Sequence, residues 1–179
     1  ESQAYSRHFG LNNKIRPDTT ELIFDTAQIA GPLAKDKKAN PGLRPYTFED
    51  QHKWLGWQAR VALINFIDEI IQNKKYSVDI FAYDLDEPYI CSQLIALARE
   101  GRVRVILDNS AGHDGSSDFE TKFDKLFKQE ASDKNALVRG KYLSLSHSKV
   151  FIQKLYGKPV KVLTGSTNFS TNGLYINAN

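Results

Sequence analysis

His147-Ser148-Lys149 and Gly165-Ser166-Thr167-Asn168 are the two stretches of this 179-residue chain whose residue types could act together chemically. The first opens an apolar run that reads as a strand, and the second follows another. Side chains alternate along a strand, so His147 and Lys149 fall on one face, imidazole beside ammonium. An imidazole titrates near neutrality and can attack an electrophile or move a proton. An ammonium and a carboxamide can hold the oxygens of an anion. The triplet alone means little, because with four His and 16 Lys chance yields one in roughly a third of such chains. The glycine-serine stretch is equally weak by itself. Their succession on two adjacent strands is far more selective.

Charge points the same way. Residues 134–179 carry seven basic side chains (Lys134, Arg139, Lys141, Lys149, Lys154, Lys158, Lys161) and no Asp or Glu, while the first 133 residues hold 17 basic and 21 acidic groups and sum to −4. A carboxylate-free segment favours an anionic partner; the plainer alternative is a solvated face on ordinary strands. The composition, 41% hydrophobic and 25% charged, suits one globular domain. No stretch approaches the roughly 18–20 consecutive apolar residues of a membrane span. The single cysteine, Cys91, excludes an intrachain disulfide framework and a cysteine-based zinc site, and reads as a small buried residue.

The elements that must position these residues follow from periodicity. Residues 1–46 are rich in breakers, among them Gly31-Pro32 and Asn40-Pro41-Gly42, and read as an extended arm; residues 47–179 read as the domain. Thr47 resembles a helix start. Trp57, Val61, Ile64, Ile67, Ile70 and Ile71 recur at helical spacing, which predicts a core-facing helix through Gln72. Trp54 and Trp57 read as core or lid aromatics. Tyr76–Tyr83 predicts a strand, Pro88 to Gly101 a second helix and its stop, and Val103–Asp108 a buried strand. That β-α-β order implies a parallel pair with a right-handed crossover. A Gly/Ser-rich loop, Asn109–Ser117, leads to a third helix bearing Phe119, Phe123, Leu126 and Phe127. Three strands follow, Leu137–Leu145, Ser148–Gln153 and Val160–Thr164, the last two a hairpin about Tyr156-Gly157-Lys158. The fold class is a layered α/β/α domain with a mixed, partly parallel sheet. His113 lies in the glycine-rich loop, at the end of the sheet where α/β folds keep ligands; it is a substrate-side candidate, against the plainer reading of an exposed loop histidine. Asp79, Asp84, Asp86 and Asp108 cluster near strand ends, where capping and turn roles are favoured over a metal site.

HSKVFIQK followed by VLTGSTNFS resembles the H-x-K…G-S-x-N signature of the phospholipase D superfamily, and the resemblance extends from about Trp54 to Asn179. It implies that two such motifs face each other, one histidine attacking phosphorus to form a phosphohistidine and the other protonating the leaving oxygen. Carried onto this chain, His147 is nucleophile or general acid, Lys149 and Asn168 bind phosphate, and Ser166 assists through its hydroxyl and tight turn. Neither metal nor cofactor is implied. The substrate is a phosphodiester, with phospholipid favoured and nucleic acid the alternative; a degenerate domain that binds anions or partners without turnover is the third reading.

The chain departs from the family pattern in three places. Lys154 stands where the motif continues with Asp. The gap between Lys149 and Gly165 is four residues longer than the common one, an excess the hairpin tip can absorb. Asn179 occupies the place of a Glu that orients the histidine ring, so it is a substrate-side candidate that can hydrogen-bond Nδ1 without stabilising an imidazolium. None of His8, His52 and His113 has Lys two residues on, so a complete site needs a second half-site, from a homodimer mate or from a C-terminal half. The resemblance also implies a further strand and helix beyond Asn179, so truncation there is expected.

Overall fold

A computed structural model describes residues 57–116, 118–141 and 145–176. The expected arm over residues 1–46, the Thr47 helix start, Trp54 and Asn179 lie outside the described residues. The chain order is α1 (Trp57–Gln72), β1 (Tyr76–Ala82), α2 (Pro88–Arg99), β2 (Val103–Asp108), α3 (Phe119–Glu130), a 3-10 turn (Lys134–Ala136), β3 (Leu137–Gly140), β4 (Lys149–Leu155), β5 (Lys158–Thr164) and a π-helical turn (Asn172–Ile176).

The five strands form one sheet in the order β3-β2-β1-β4-β5. β1, β2 and β3 are parallel, with Val78 opposite Val103 and Val105 opposite Leu137. β4 runs antiparallel to β1 and β5 antiparallel to β4. The mixed, partly parallel sheet expected from the sequence is therefore the observed one. Right-handed crossovers place α2 and α3 on the same face, and α1 packs beside α2 there. Val78, Ile80 and Ala82 alternate toward this layer and meet Leu63, Ile67 and Ile70 of α1, Leu94 and Leu97 of α2, and Phe123 and Phe127 of α3 in one core. Phe151 of β4 sits edge-on to Phe66 at 6.1 Å and to Phe169 at 4.5 Å.

Two local devices set the frame. Pro88 occupies the first turn of α2, where its missing N–H costs nothing, and the Glu87 carboxylate accepts from the Ile90 N–H at 2.8 Å. Arg102, only 9% exposed, donates to the carbonyls of Ile70 and Tyr76 at 2.7 and 3.0 Å, so one guanidinium closes the C-terminus of α1 onto the start of β1. The β4–β5 hairpin turns at Tyr156 (φ 50°) and Gly157 (φ 78°), with open space around the Gly157 Cβ position. Tyr156 N–H donates to Lys75 O, so this tip lies at the N-terminal end of β1. β3 ends at Gly140, short of the expected Leu145, and β4 begins at Lys149, one residue later than expected. The positive field expected over residues 134–179 is partly offset: Lys141, Lys154 and Lys161 pair with Asp114, Asp79 and Glu69 from the earlier part of the chain.

Candidate active site

The C-terminal ends of β1, β2 and β3 and the N-terminal end of β4 lie at the same end of the sheet, because Ala82 is opposite Lys149 and Asp108 opposite Gly140. The chain leaves β1 toward β2 on one side while β4 flanks it on the other, the end of an α/β sheet at which ligands are usually held. The dipeptide Tyr83-Asp84 emerges there and becomes the hub of the site. The Tyr83 ring takes His147 edge-on at 4.5 Å and His113 edge-on at 4.5 Å, and Lys149 Nζ lies 5.5 Å from its centroid. Next to it, Asp84 Oδ2 accepts from Asn168 Nδ2 at 3.4 Å. His147 and Lys149 from one motif and Asn168 from the other are thus gathered around two adjacent residues.

Each is anchored from behind. Asp108 accepts from the N–H of Ser146 at 2.8 Å and from the N–H and hydroxyl of Ser110, which fixes the approach to His147. Burial alone would raise the Asp108 carboxyl, but these hydrogen bonds from Ser110 and Ser146 outweigh it and lower it. The Asn168 segment is tied to the end of β1: Leu85 bridges Phe169 in parallel, Asp86 and Glu87 N–H groups donate to Phe169 O, and Asp86 Oδ1 accepts from Thr171 N–H at 2.7 Å. Gly173 passes so close that a Cβ there would meet Asn168 O at 2.6 Å and Asn168 N at 2.9 Å. Gly173→Ala should therefore push Asn168 out of place and cost roughly 1–3 kcal/mol of stability. Thermal unfolding and binding of a simple phosphodiester both measure this, and an unchanged pair of values would refute the role.

His147 is exposed, whereas Lys149 is only 5% exposed. The ammonium donates to the carbonyl of its neighbour His147 at 3.1 Å and pairs with no carboxylate among the described residues. Burial lowers the Lys149 pKa, and the charge of Asp84 partly counters that. Ser166 is exposed in the loop after β5. A Cβ at Gly165 would meet nothing within 4 Å, so the turn leaves open space beside the motif.

His113 is not an exposed loop histidine. It is 8% exposed, with Nδ1 3.2 Å from Glu120 Oε2, and Glu120 Oε1 accepts from the Leu85 N–H at 3.1 Å. The hydrogen bond to Glu120 raises the His113 pKa against the opposing effect of burial. Burial would raise Glu120, but the contacts with His113 and Leu85 N–H lower it. Asp84, His113 and Glu120 bring potential ligand atoms within 4.8 Å of one another, and His113 and Glu120 are already engaged with each other. Asp86 and Asp108 fill the turn roles expected of them; Asp84 does not, and Asp79 pairs within the sheet with Arg104 and Lys154 at 2.6 and 2.5 Å. Sequence reasoning does not single out Tyr83 or Glu120; the available signals are a tyrosine at the end of the first strand and a glutamate in the first turn of α3. Cys91 is buried, as expected, and burial drives its thiol pKa up.

The His113–Glu120 pair makes folding stability depend on pH from both sides. Glu120 is lowered, so its contribution is present above its unfolded pKa of about 4.3 and is lost as pH falls through the folded value. His113 is raised, so its contribution is full below about 6.5 and is lost as pH rises through the higher folded value. Melting temperature against pH should show both limbs, and His113→Gln should flatten the alkaline one.

A depression of about 320 Å³ on the opposite sheet face, lined by Asp79, Phe81, Arg104, Ile106 and Val138 among others, contains none of the motif residues. A mixed sheet presenting H-x-K at the start of one strand and G-S-x-N after the next, both at its ligand end, defines the phospholipase D class of domain. The chain belongs to the family described as "Cardiolipin synthase, PLD-like domain", whose model matches residues 67–179. Among solved structures it is similar to the phospholipase D family member Nuc from Salmonella typhimurium, at 26% identity and a TM-score of 0.50, over 66% of this chain and 70% of that one. No curated protein matches the chain.

Proposed function

We propose that this chain supplies one half-site of a phosphodiester hydrolase or phosphatidyl transferase that works through a phosphohistidine. His147 attacks phosphorus; an N–P bond forms as the bond to the leaving alcohol breaks, and the alkoxide takes a proton from the imidazole of the opposing half-site. Water, or a second alcohol, then attacks phosphorus, gives its proton back to that imidazole, and expels His147. Lys149 and Asn168 hold the non-bridging oxygens, with Ser166 beside them. The opposing half-site comes from a second copy of this chain or from a second motif. No metal or cofactor takes part.

The single observation that carries this reading is Lys149: an ammonium taken out of water, without a carboxylate partner among the described residues, next to an exposed imidazole. Burying a lone cation is costly, and a bound phosphate oxygen offsets that cost. Phospholipid is the favoured substrate. The family's description supports it. A binding domain without turnover is the second reading, favoured by Lys154 and Asn179 standing in for acids.

Covalent trapping tests it. Incubation with a phospholipid labelled at phosphorus should leave base-stable, acid-labile label on His147, and none on a His147→Gln variant. No adduct in a preparation that contains both half-sites would leave only the binding reading.

A further inference from the structure

The carboxamide of Asn168 is poorly satisfied as it stands. Its nitrogen reaches Asp84 Oδ2 only at 3.4 Å, and its carbonyl oxygen Oδ1 is buried with no hydrogen-bond partner. A buried acceptor without a donor is costly. A half-turn of the amide about its terminal torsion exchanges the two atoms, which are the same size and differ only in their protons. Oδ1 then faces Asp84, and the contact becomes a hydrogen bond if the Asp84 carboxyl carries a proton. The same turn frees the N–H2 group, the only part of the asparagine side chain that can donate to a phosphate oxygen.

The surroundings of Asp84 favour that proton. Glu120 from α3 presses a second carboxyl against it, within 4.8 Å, and Glu120 is the one held ionised, by the Leu85 N–H and by His113 from the loop after β2. Two carboxyls this close do not both ionise readily. Burial and then the Glu120 charge raise the Asp84 pKa, while the Ser170 hydroxyl and His113 act in the opposite sense. Among the described residues Lys149 from β4 also interacts with the Asp84 charge, and the buried Cys91 thiol of α2 feels it as well.

We propose that Asp84 is the positioning residue of the phosphate site: as a neutral carboxyl held against Glu120 and His113, it donates to the carbonyl oxygen of Asn168 and turns the amide nitrogen toward the bound phosphate. This rests on the function proposed above, since it assigns the oxygen-binding role to Asn168. It adds a residue outside both motifs, and it makes the uncharged form of that residue the working one. Ionisation of Asp84 would pull the amide nitrogen back toward itself and withdraw the donor.

The experiment uses the full chain and diethyl phosphate, a single anion across the pH range, with binding followed by calorimetry. Asp84→Ala should weaken binding about tenfold, the worth of one well-placed hydrogen bond. Asp84→Asn, whose amide N–H2 replaces the carboxyl proton, should stay within about twofold of the wild type. Wild-type affinity should decline as pH rises through the Asp84 titration, and Asp84→Asn should lack that decline. The 13C shift of the Asp84 carboxyl gives a readout independent of any ligand, and it should remain that of the acid at a pH where exposed carboxylates have ionised. Equal losses in Asp84→Asn and Asp84→Ala, or an Asp84 carboxyl that ionises together with exposed carboxylates, would overturn the assignment while leaving the half-site reading intact. If the wild type does not bind the diester, or Lys149→Met does not weaken it, the half-site reading fails and this one with it. Stoichiometric Mn2+ or Zn2+ binding that Asp84→Asn abolishes would make the cluster a cation site instead.

Discussion

Lys149→Met should make the protein more stable and less active at once. Lys149 is buried, its ammonium contacts the His147 carbonyl and the face of Tyr83, and it makes no direct ion pair among the described residues, although the Asp84 charge acts on it. Met follows the same stem without the charge, so folding no longer strips water from a cation. The expected gain is about 1–2 kcal/mol, a shift of several degrees in melting temperature. Turnover should fall by about 10²–10³-fold, the usual result of removing a donor that stabilises developing charge. A gain in one quantity with loss of the other is the signature of a site that holds strain for function. A loss of both would mean that Lys149 is structural.

His147→Gln should give the opposite profile. The ring is exposed and touches Tyr83 at its edge, so stability should move by no more than about 0.5 kcal/mol. Turnover should fall by about 10³-fold or more and the covalent adduct should disappear, because the variant has no atom that can form the N–P bond. Melting curves and single-turnover labelling on the same two preparations separate the roles: one variant alters the field around the phosphate, the other removes the attacking atom. Residual labelling in His147→Gln would move the nucleophile elsewhere.

Much of the scaffold was legible because its signals are local. Pro88, the apolar repeat of α2 and Gly101 marked a helix observed at Pro88–Arg99, and VRVILD was read as the strand observed at Val103–Asp108. The parallel β1–β2 pair followed from the β-α-β order alone. The strand expected over Leu137–Leu145 was too long, since β3 pairs with β2 only as far as Gly140 opposite Asp108, where β2 itself ends. A partner's length limits a strand, and no window of sequence contains that information.

The site was legible in its motifs and not in its supports. Tyr83, Asp84 and Glu120 meet because β1 ends beside β4 while α3 lays its first turn over Leu85; nothing in the spacing of residues 83 and 120 announces this. Asp84 was grouped with Asp86 and Asp108 as a turn residue, which its neighbours are, but the turn carries its side chain inward to Glu120 and Asn168 instead. The charge asymmetry overstates the local field for the same reason. Linear counting cannot see that Asp79 on β1 lies diagonally across from Lys154 on β4, where the pair forms a cross-strand contact. Lys154 in the place of the motif's Asp is thus not left bare: with Arg104 on the other side, it makes Asp79 the centre of a three-residue ion network.

The Tyr156-Gly157 tip has a practical use. It lies at the opposite end of β4 from Lys149, and the Gly157 Cβ position is open. Extra residues accommodated there add only loop entropy, which grows slowly with length, and leave the reactive end untouched. A fluorophore or affinity peptide grafted between the two strands would report on assembly of the two halves without standing in the path of the substrate.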